Sequence, residues 1–181
     1  MAVILPLLSA TELRAQCRVD DPDEDSILLA YAAAAERHVE SVTGHVLTYR
    51  SEFVRDTLFP AAGWNIVRFP IHHVIGIEYD GADGNPAQLA STAFLLQPVH
   101  IGYQLRLRAG QVWPDLAEAG EVNIELAAGY PIGECPTPLK QACLLLAAHF
   151  YANREAVAPG NFGELPFAAS ALMAPYRIRI I

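Results

Sequence analysis

The sequence predicts an α+β chain: a small helical bundle, made of two long helices and a short C-terminal one, with an inserted antiparallel β-sheet of about five or six strands. Three observations predict it. An amphipathic run lies between good start and stop signals at residues 21–44. Short β-rich runs separated by turn residues fill residues 46–128. A second helical run, from about Pro138 to Val157, is apolar almost all the way round. The expected organisation is one domain over residues 1–181, with residues 46–128 as a β insertion within it.

The first long helix follows "RVDDPDEDSILLAYAAAAERHVESVTGHV". Asp21 can cap it, Pro22 suits its first position, and Glu24 stands where a capping box needs it. Leu28, Tyr31, Ala35, Val39 and Val42 fall on one face, with Glu36 and Glu40 on the other, and Gly44 is a fitting stop.

The middle of the chain changes period. "LTYRSEFVRD", "WNIVRFP", "HVIGIEYDG", "AFLLQ", "YQLRLRAG" and "EVNIELAAGY" read as strands, and "DGADGNP" is the clearest turn between them. Thr137 and Pro138 then open the second long helix. Leu139, Cys143, Leu146, Phe150 and Val157 make one stripe, while Leu144, Leu145, Ala148 and Ala152 occupy the reverse side. A helix apolar on both sides is buried on both sides, because each large side chain left in water forfeits about 1.5–3 kcal/mol. It is either the centre of a bundle or covered by another subunit. With one other long helix in the sequence, Leu144, Leu145, Ala148 and Ala152 are expected at a subunit interface. After the loop "APGNFGELPFAAS" comes a short helix from about Phe167 to Ala174, and the β-prone tail "YRIRII" suits strand addition to a partner.

Composition narrows the function. Hydrophobic residues are 52% and charged residues 18% of the chain, which supports a packed core. A net charge of −8 and a pI near 5.1 have the wrong sign for a protein that grips nucleic-acid phosphates. Cys17, Cys135 and Cys143 form no CxxC pair and are read as small buried hydrophobes. "MAVILPLLSATEL" is apolar but has no basic leader and is broken by Pro6, so it is not read as a signal peptide.

No catalytic constellation emerges. The acidic run Asp20–Asp25 lacks the glycine and distal glutamate of a calcium loop. His72 and His73, adjacent on a strand, point to opposite faces. Cys143 and His149 lie about 120° apart around their helix, a poor nucleophile pair, and His149, Asn153, Arg154 and Glu155 are read as a polar helix end. Arg106 and Arg108 are read as solvated or partner-facing, Arg177 and Arg179 as partner-facing. No GxSxG, Walker loop, dinucleotide glycine pattern or HExxH occurs, so no cofactor, metal or catalytic residue is expected.

The order of segments carries a resemblance. "LRAQCRVDDPDEDSILLAYAAAAERHVESVTG", a β insertion, "WP" before "VNIELAAGYP", then "PTPLKQACLLLAAHFYANREAV" and "LPFAASALMAPYR" together resemble the head–tail connector (adaptor, or head-completion) proteins of tailed bacteriophages and gene transfer agents. The resemblance spans about Leu13 to Arg177. It implies a structural, non-enzymatic protein that forms a ring, usually twelvefold, beneath the portal, connects the DNA-filled head to the tail and extends the DNA channel. The implied partners are the portal protein, further copies of itself and a tail-side stopper or completion protein, with DNA passing through unread. It places the protein at the virion head–tail junction after synthesis in the host cytoplasm. It also makes Tyr176, Arg177, Ile178, Arg179, Ile180 and Ile181 the portal-binding tail. The rival readings are a small hydrolase using His149 and Glu155, and a monomeric capsid or tail accessory module.

Overall fold

The computed structural model describes residues 6–153 and 167–178. The predicted end of the second long helix, Arg154, Glu155, Val157, the loop behind it, and Arg179, Ile180 and Ile181 lie outside the described residues. The chain forms two compact units. One comprises residues up to Thr48 and Tyr130–Arg177 and is helical; the other, Tyr49–Gly129 with Ile178 of the tail, is built of strands.

Among the described residues the helical unit contains four helices: α1 (Ala10–Cys17), α2 (Asp25–Thr43), α3 (Thr137–Ala152) and α4 (Phe167–Met173). Short 3-10 turns precede α2 at Pro22–Glu24 and follow α4 at Ala174–Tyr176. The sequence reading missed α1. Its signal is present in "SATE": Ser9 Oγ accepts from the Glu12 N–H, and the Glu12 carboxylate accepts from the Ser9 N–H at 2.9 Å, a complete capping box. Asp21 caps the 3-10 turn by accepting from the Asp23 N–H at 2.9 Å. Glu24, expected to complete a capping box there, accepts from the Tyr151 hydroxyl of α3 at 2.9 Å. Gly44 closes α2 at φ 78°, a left-handed conformation that favours glycine.

Two glutamates leave the solvated face expected for them. Glu36 is half-buried beside the Leu7 and Leu8 backbone amides, which favour its charged form; burial, aided by the neighbouring Glu40 charge, outweighs them and pushes its pKa above the ordinary value. Glu40 accepts from the Leu47 N–H at 2.9 Å. Both therefore tie down chain segments flanking α1 and α2. Periodicity reports which face is polar, and cannot report that a neighbouring backbone will come to use it.

α3 is the centre of the unit. It packs against α1, α2 and α4, and Leu139, Ala142, Cys143, Leu146 and Ala147 are buried with Leu13, Leu28, Ala35, Val39 and Met173. Lys140 Nζ reaches Glu12 at 2.6 Å, clipping α1 to α3. The two short helices thus cover much of a helix that the sequence left without partners.

The β unit corrects the predicted single sheet. It has seven strands in two antiparallel sheets: β1 (Arg50–Asp56), β7 (Val122–Ala128), β3 (Ile71–Asp80) and β4 (Pro86–Gln88) in that order, and β2 (Trp64–Ile66), β6 (Tyr103–Leu107) and β5 (Phe94–Pro98). Six strands fall on the predicted runs. The seventh, β4, is three residues placed where the sequence shows only turn chemistry, and pairing with Glu78–Asp80 makes it a strand. β7 is central, flanked by β1 and β3, and its Val122, Ile124 and Leu126 are fully buried. At the strand ends Phe59 stacks on Trp113 at 4.9 Å, and Trp64 meets Trp113 edge-on at 5.2 Å. The indole N–H groups are satisfied by Asp56 and the Pro60 carbonyl.

Candidate assembly surfaces

The described part of the C-terminal tail grows out of α4. Pro175 cannot continue the helix, and the chain turns once more as a 3-10 helix ending at Tyr176. Tyr176 is half-buried, its ring edge-on to His45 at 5.7 Å. His45 also stacks on Tyr130 at 5.9 Å, with Nδ1 2.6 Å from the Tyr130 hydroxyl. Burial holds the His45 pKa below its ordinary 6.5, and a hydrogen bond to the Tyr176 backbone works the other way. A neutral histidine therefore anchors the root of the tail. Beyond it Arg177 is exposed and Ile178 half-buried. The sequence reading passed over His45 and Tyr130, which flank the β insertion and meet only when the chain returns.

On α3, the reverse-side residues divide. Leu144, Leu145 and Ala148 are half-buried, and Ala152 is exposed. Leu144 and Leu145 touch the helical core from its edge. With Phe150 and Tyr151 they belong to the half-buried apolar part of α3, beside the fully buried stripe.

Among the described residues the remaining candidates do not assemble into a reactive site. Cys143 is buried, and burial pushes its thiol far above the ordinary range, while Cys135 is pushed up to about 11. His149 is half-buried, with its carbonyl accepting from the Asn153 amide at 2.8 Å. His72 and His73 are exposed, and His72 Nε2 lies 2.7 Å from the Gly129 carbonyl. Arg106 donates to Gln97 and Arg108 to the Phe94 carbonyl, both within the three-stranded sheet. Among the described residues no group of three or more His, Cys, Asp or Glu side chains is placed to hold a metal ion, and no helix is long and apolar enough to cross a membrane.

No family model matches the chain, and no curated protein does. Solved structures do. A chain of the virion of a native gene transfer agent (GTA) particle is 25% identical, with a TM-score of 0.79 over 100% of this chain and 95% of that one. A chain of the native GTA neck, computed with C12 symmetry, is 25% identical with a TM-score of 0.73 over 100% and 97%. A chain of the empty-particle neck, computed with C6 symmetry, shares the fold at TM-score 0.80 and 24% identity, over 100% and 95%. Each of these neighbours is a chain of such a particle or of its neck. The chain thus has the fold of gene transfer agent neck chains, in line with the head–tail connector resemblance carried by its sequence.

Proposed function

We propose that this protein forms a ring beneath a portal, connecting the DNA-filled head to the tail and extending the channel through which DNA passes. The observation that carries the reading is the match of the whole chain to neck chains solved with C12 and C6 symmetry. In this reading the whole of residues 1–181 acts as one connector domain and the β unit is an insertion within it. A twelvefold ring is the state expected in the particle, at the head–tail junction, after synthesis in the host cytoplasm.

The helical unit forms the ring body. Leu144, Leu145, Ala148 and Ala152 face the next copy, which supplies the cover that α1 and α4 leave incomplete. Tyr176, Arg177, Ile178, Arg179, Ile180 and Ile181 dock on the portal, with His45 and Tyr130 fixing the point where this segment departs. A tail-side stopper or completion protein binds the opposite end. The net charge of −8 fits a conduit, because a wall of lysines would hold a sliding polyanion by its phosphates.

The test is to mix the purified protein with its cognate portal ring and image the product by electron microscopy, beside a variant lacking residues 176–181. The expected result is a ring added to the portal, and its loss with the truncation. A ring that survives truncation moves the anchor to the helices. No binding at all overturns the connector reading.

A further inference from the structure

Arg106 and Arg108 have no part in the connector reading, and they stand on an open sheet face. In the three-stranded sheet Trp64, Ile66, Phe94 and Leu105 are buried. The alternate positions form the other face: Asn65 on β2 opposite Gln104 on β6, and Arg106 opposite Leu95 on β5. Arg108 continues the β6 row, and Asn65, Arg106 and Arg108 are exposed.

This face carries one sign of charge. Residues 57–77 and 86–114, which hold all three strands, contain no aspartate or glutamate, while Arg68, Arg106 and Arg108 lie among them. The three guanidinium groups donate to neutral acceptors. Arg68 reaches the Val67 carbonyl at 2.9 Å, Arg106 the Gln97 side chain at 3.2 Å and Arg108 the Phe94 carbonyl at 3.0 Å.

The opposite charge collects at a corner of the other sheet. Residues 78–85 and 115–125 contain no lysine or arginine. Backbone bonds bring these segments together where β3 ends and β4 begins. Gly81 pairs with Leu116, the Asp80 N–H donates to the Glu121 carbonyl at 3.1 Å, and the Ala117 N–H donates to the Asp80 carbonyl at 3.1 Å. Asp83, Asp115, Glu118 and Glu121 are exposed there. Among the described residues no ion pair joins this corner to the three arginines.

Solvated surfaces ordinarily intersperse both signs. Gathering like charges gains the fold nothing, since they repel, but it steers one surface onto another of opposite sign. A ring of more than two copies closes through two different, complementary patches on each copy. The β unit carries both halves of such a pair, so a second copy supplies what each half lacks. A DNA backbone would match the arginines and leave the acidic corner without a counterpart.

We propose that the arginine-bearing face of the three-stranded sheet in one copy receives the acidic corner of the next copy's β unit, orienting neighbours head to tail around the ring. The inference rests on the ring reading and adds a contact outside the helical unit.

The test uses two full-length variants, Arg106→Glu with Arg108→Glu, and Asp115→Arg with Glu118→Arg. All four side chains are exposed, so each variant should keep the parent's melting temperature and far-UV circular dichroism. Ring occupancy on the portal is counted by electron microscopy against protein concentration. At about 0.05 M salt each variant alone should need about tenfold more protein than the parent, and the gap should narrow at about 0.5 M. An equal mixture should recover the parent's occupancy, because copies alternating around the ring restore opposite charges at every contact. Variants that assemble as well as the parent overturn the inference and leave the ring reading standing. Variants that fail alone and also fail when mixed overturn the pairing of these two patches. An arginine variant that keeps its rings but loses binding to double-stranded DNA fragments makes the face a nucleic-acid contact and overturns the proposal. If the parent itself forms no ring on the portal, the ring reading fails. The mixture is then followed as free protein by sedimentation velocity at low salt, where absence of a species heavier than either variant alone overturns the charge pairing as well.

Discussion

The placement of α3 makes Leu146 and its two neighbours respond in opposite ways. Leu146 is fully buried among α1, α2 and α4, so Leu146→Ala removes buried methyl groups and leaves a cavity. Such truncations cost about 2–5 kcal/mol, against a total stability of about 5–15 kcal/mol. For a chain of this size that corresponds to a melting-temperature loss of about 4–20 °C. Leu144 and Leu145 are half-buried, so each truncated to alanine should cost about 1 kcal/mol in the free chain by area alone. The assay is urea denaturation followed at 222 nm, which reads the helical unit, combined with electron microscopy of portal mixtures. The double variant Leu144→Ala, Leu145→Ala should lose about 2 kcal/mol, stay folded and fail to form rings, whereas Leu146→Ala alone should lose at least as much stability. A cost below about 1 kcal/mol for Leu146→Ala would refute the central position of α3. Intact rings from the double variant would remove Leu144 and Leu145 from the subunit interface.

Other expectations follow from the same geometry. His45 has a depressed folded pKa, so its contribution is complete above the ordinary 6.5 and is lost as pH falls below it; the helical unit should melt at lower temperature at pH 5 than at pH 7, and His45→Phe should flatten that dependence. Glu12 is lowered to about 2 by Lys140 and Ser9, so the α1–α3 clip is complete above about 4.5 and disappears as pH falls towards 2; because both side chains are substantially exposed, Lys140→Met should cost no more than about 1 kcal/mol at pH 7. Ser9→Ala breaks the capping box and should cost about 0.5–2 kcal/mol, seen as earlier proteolysis of α1. Cys143 should resist thiol reagents at pH 8 in the folded chain and react fully in urea, while half-buried Cys17 reacts before it.

Much of this fold is legible in one dimension because its signals are local. Asp21, Pro22 and Gly44 bracket α2 by capping chemistry, and six β-rich runs mark six of the seven strands by their period and flanking turns. β4 has no such period; three residues become a strand only because β3 lies beside them. α1 was spelled by Ser9 and Glu12, yet its eight residues are too short to show a convincing face.

What the sequence determined by itself is the character of each segment: an amphipathic helix, an apolar helix, a strand-rich middle and an ordered set of segments resembling the connectors. Only the tertiary structure decided who covers whom. It gave α3 the partners α1 and α4, moved Glu36 and Glu40 from a solvated face to places beside backbone amides, and brought His45 to Tyr130 and Tyr176. It also divided the strands into two sheets. The physical reason is the same in each case: a periodic pattern states that a face must be covered, while the choice of cover is made by segments distant in the chain.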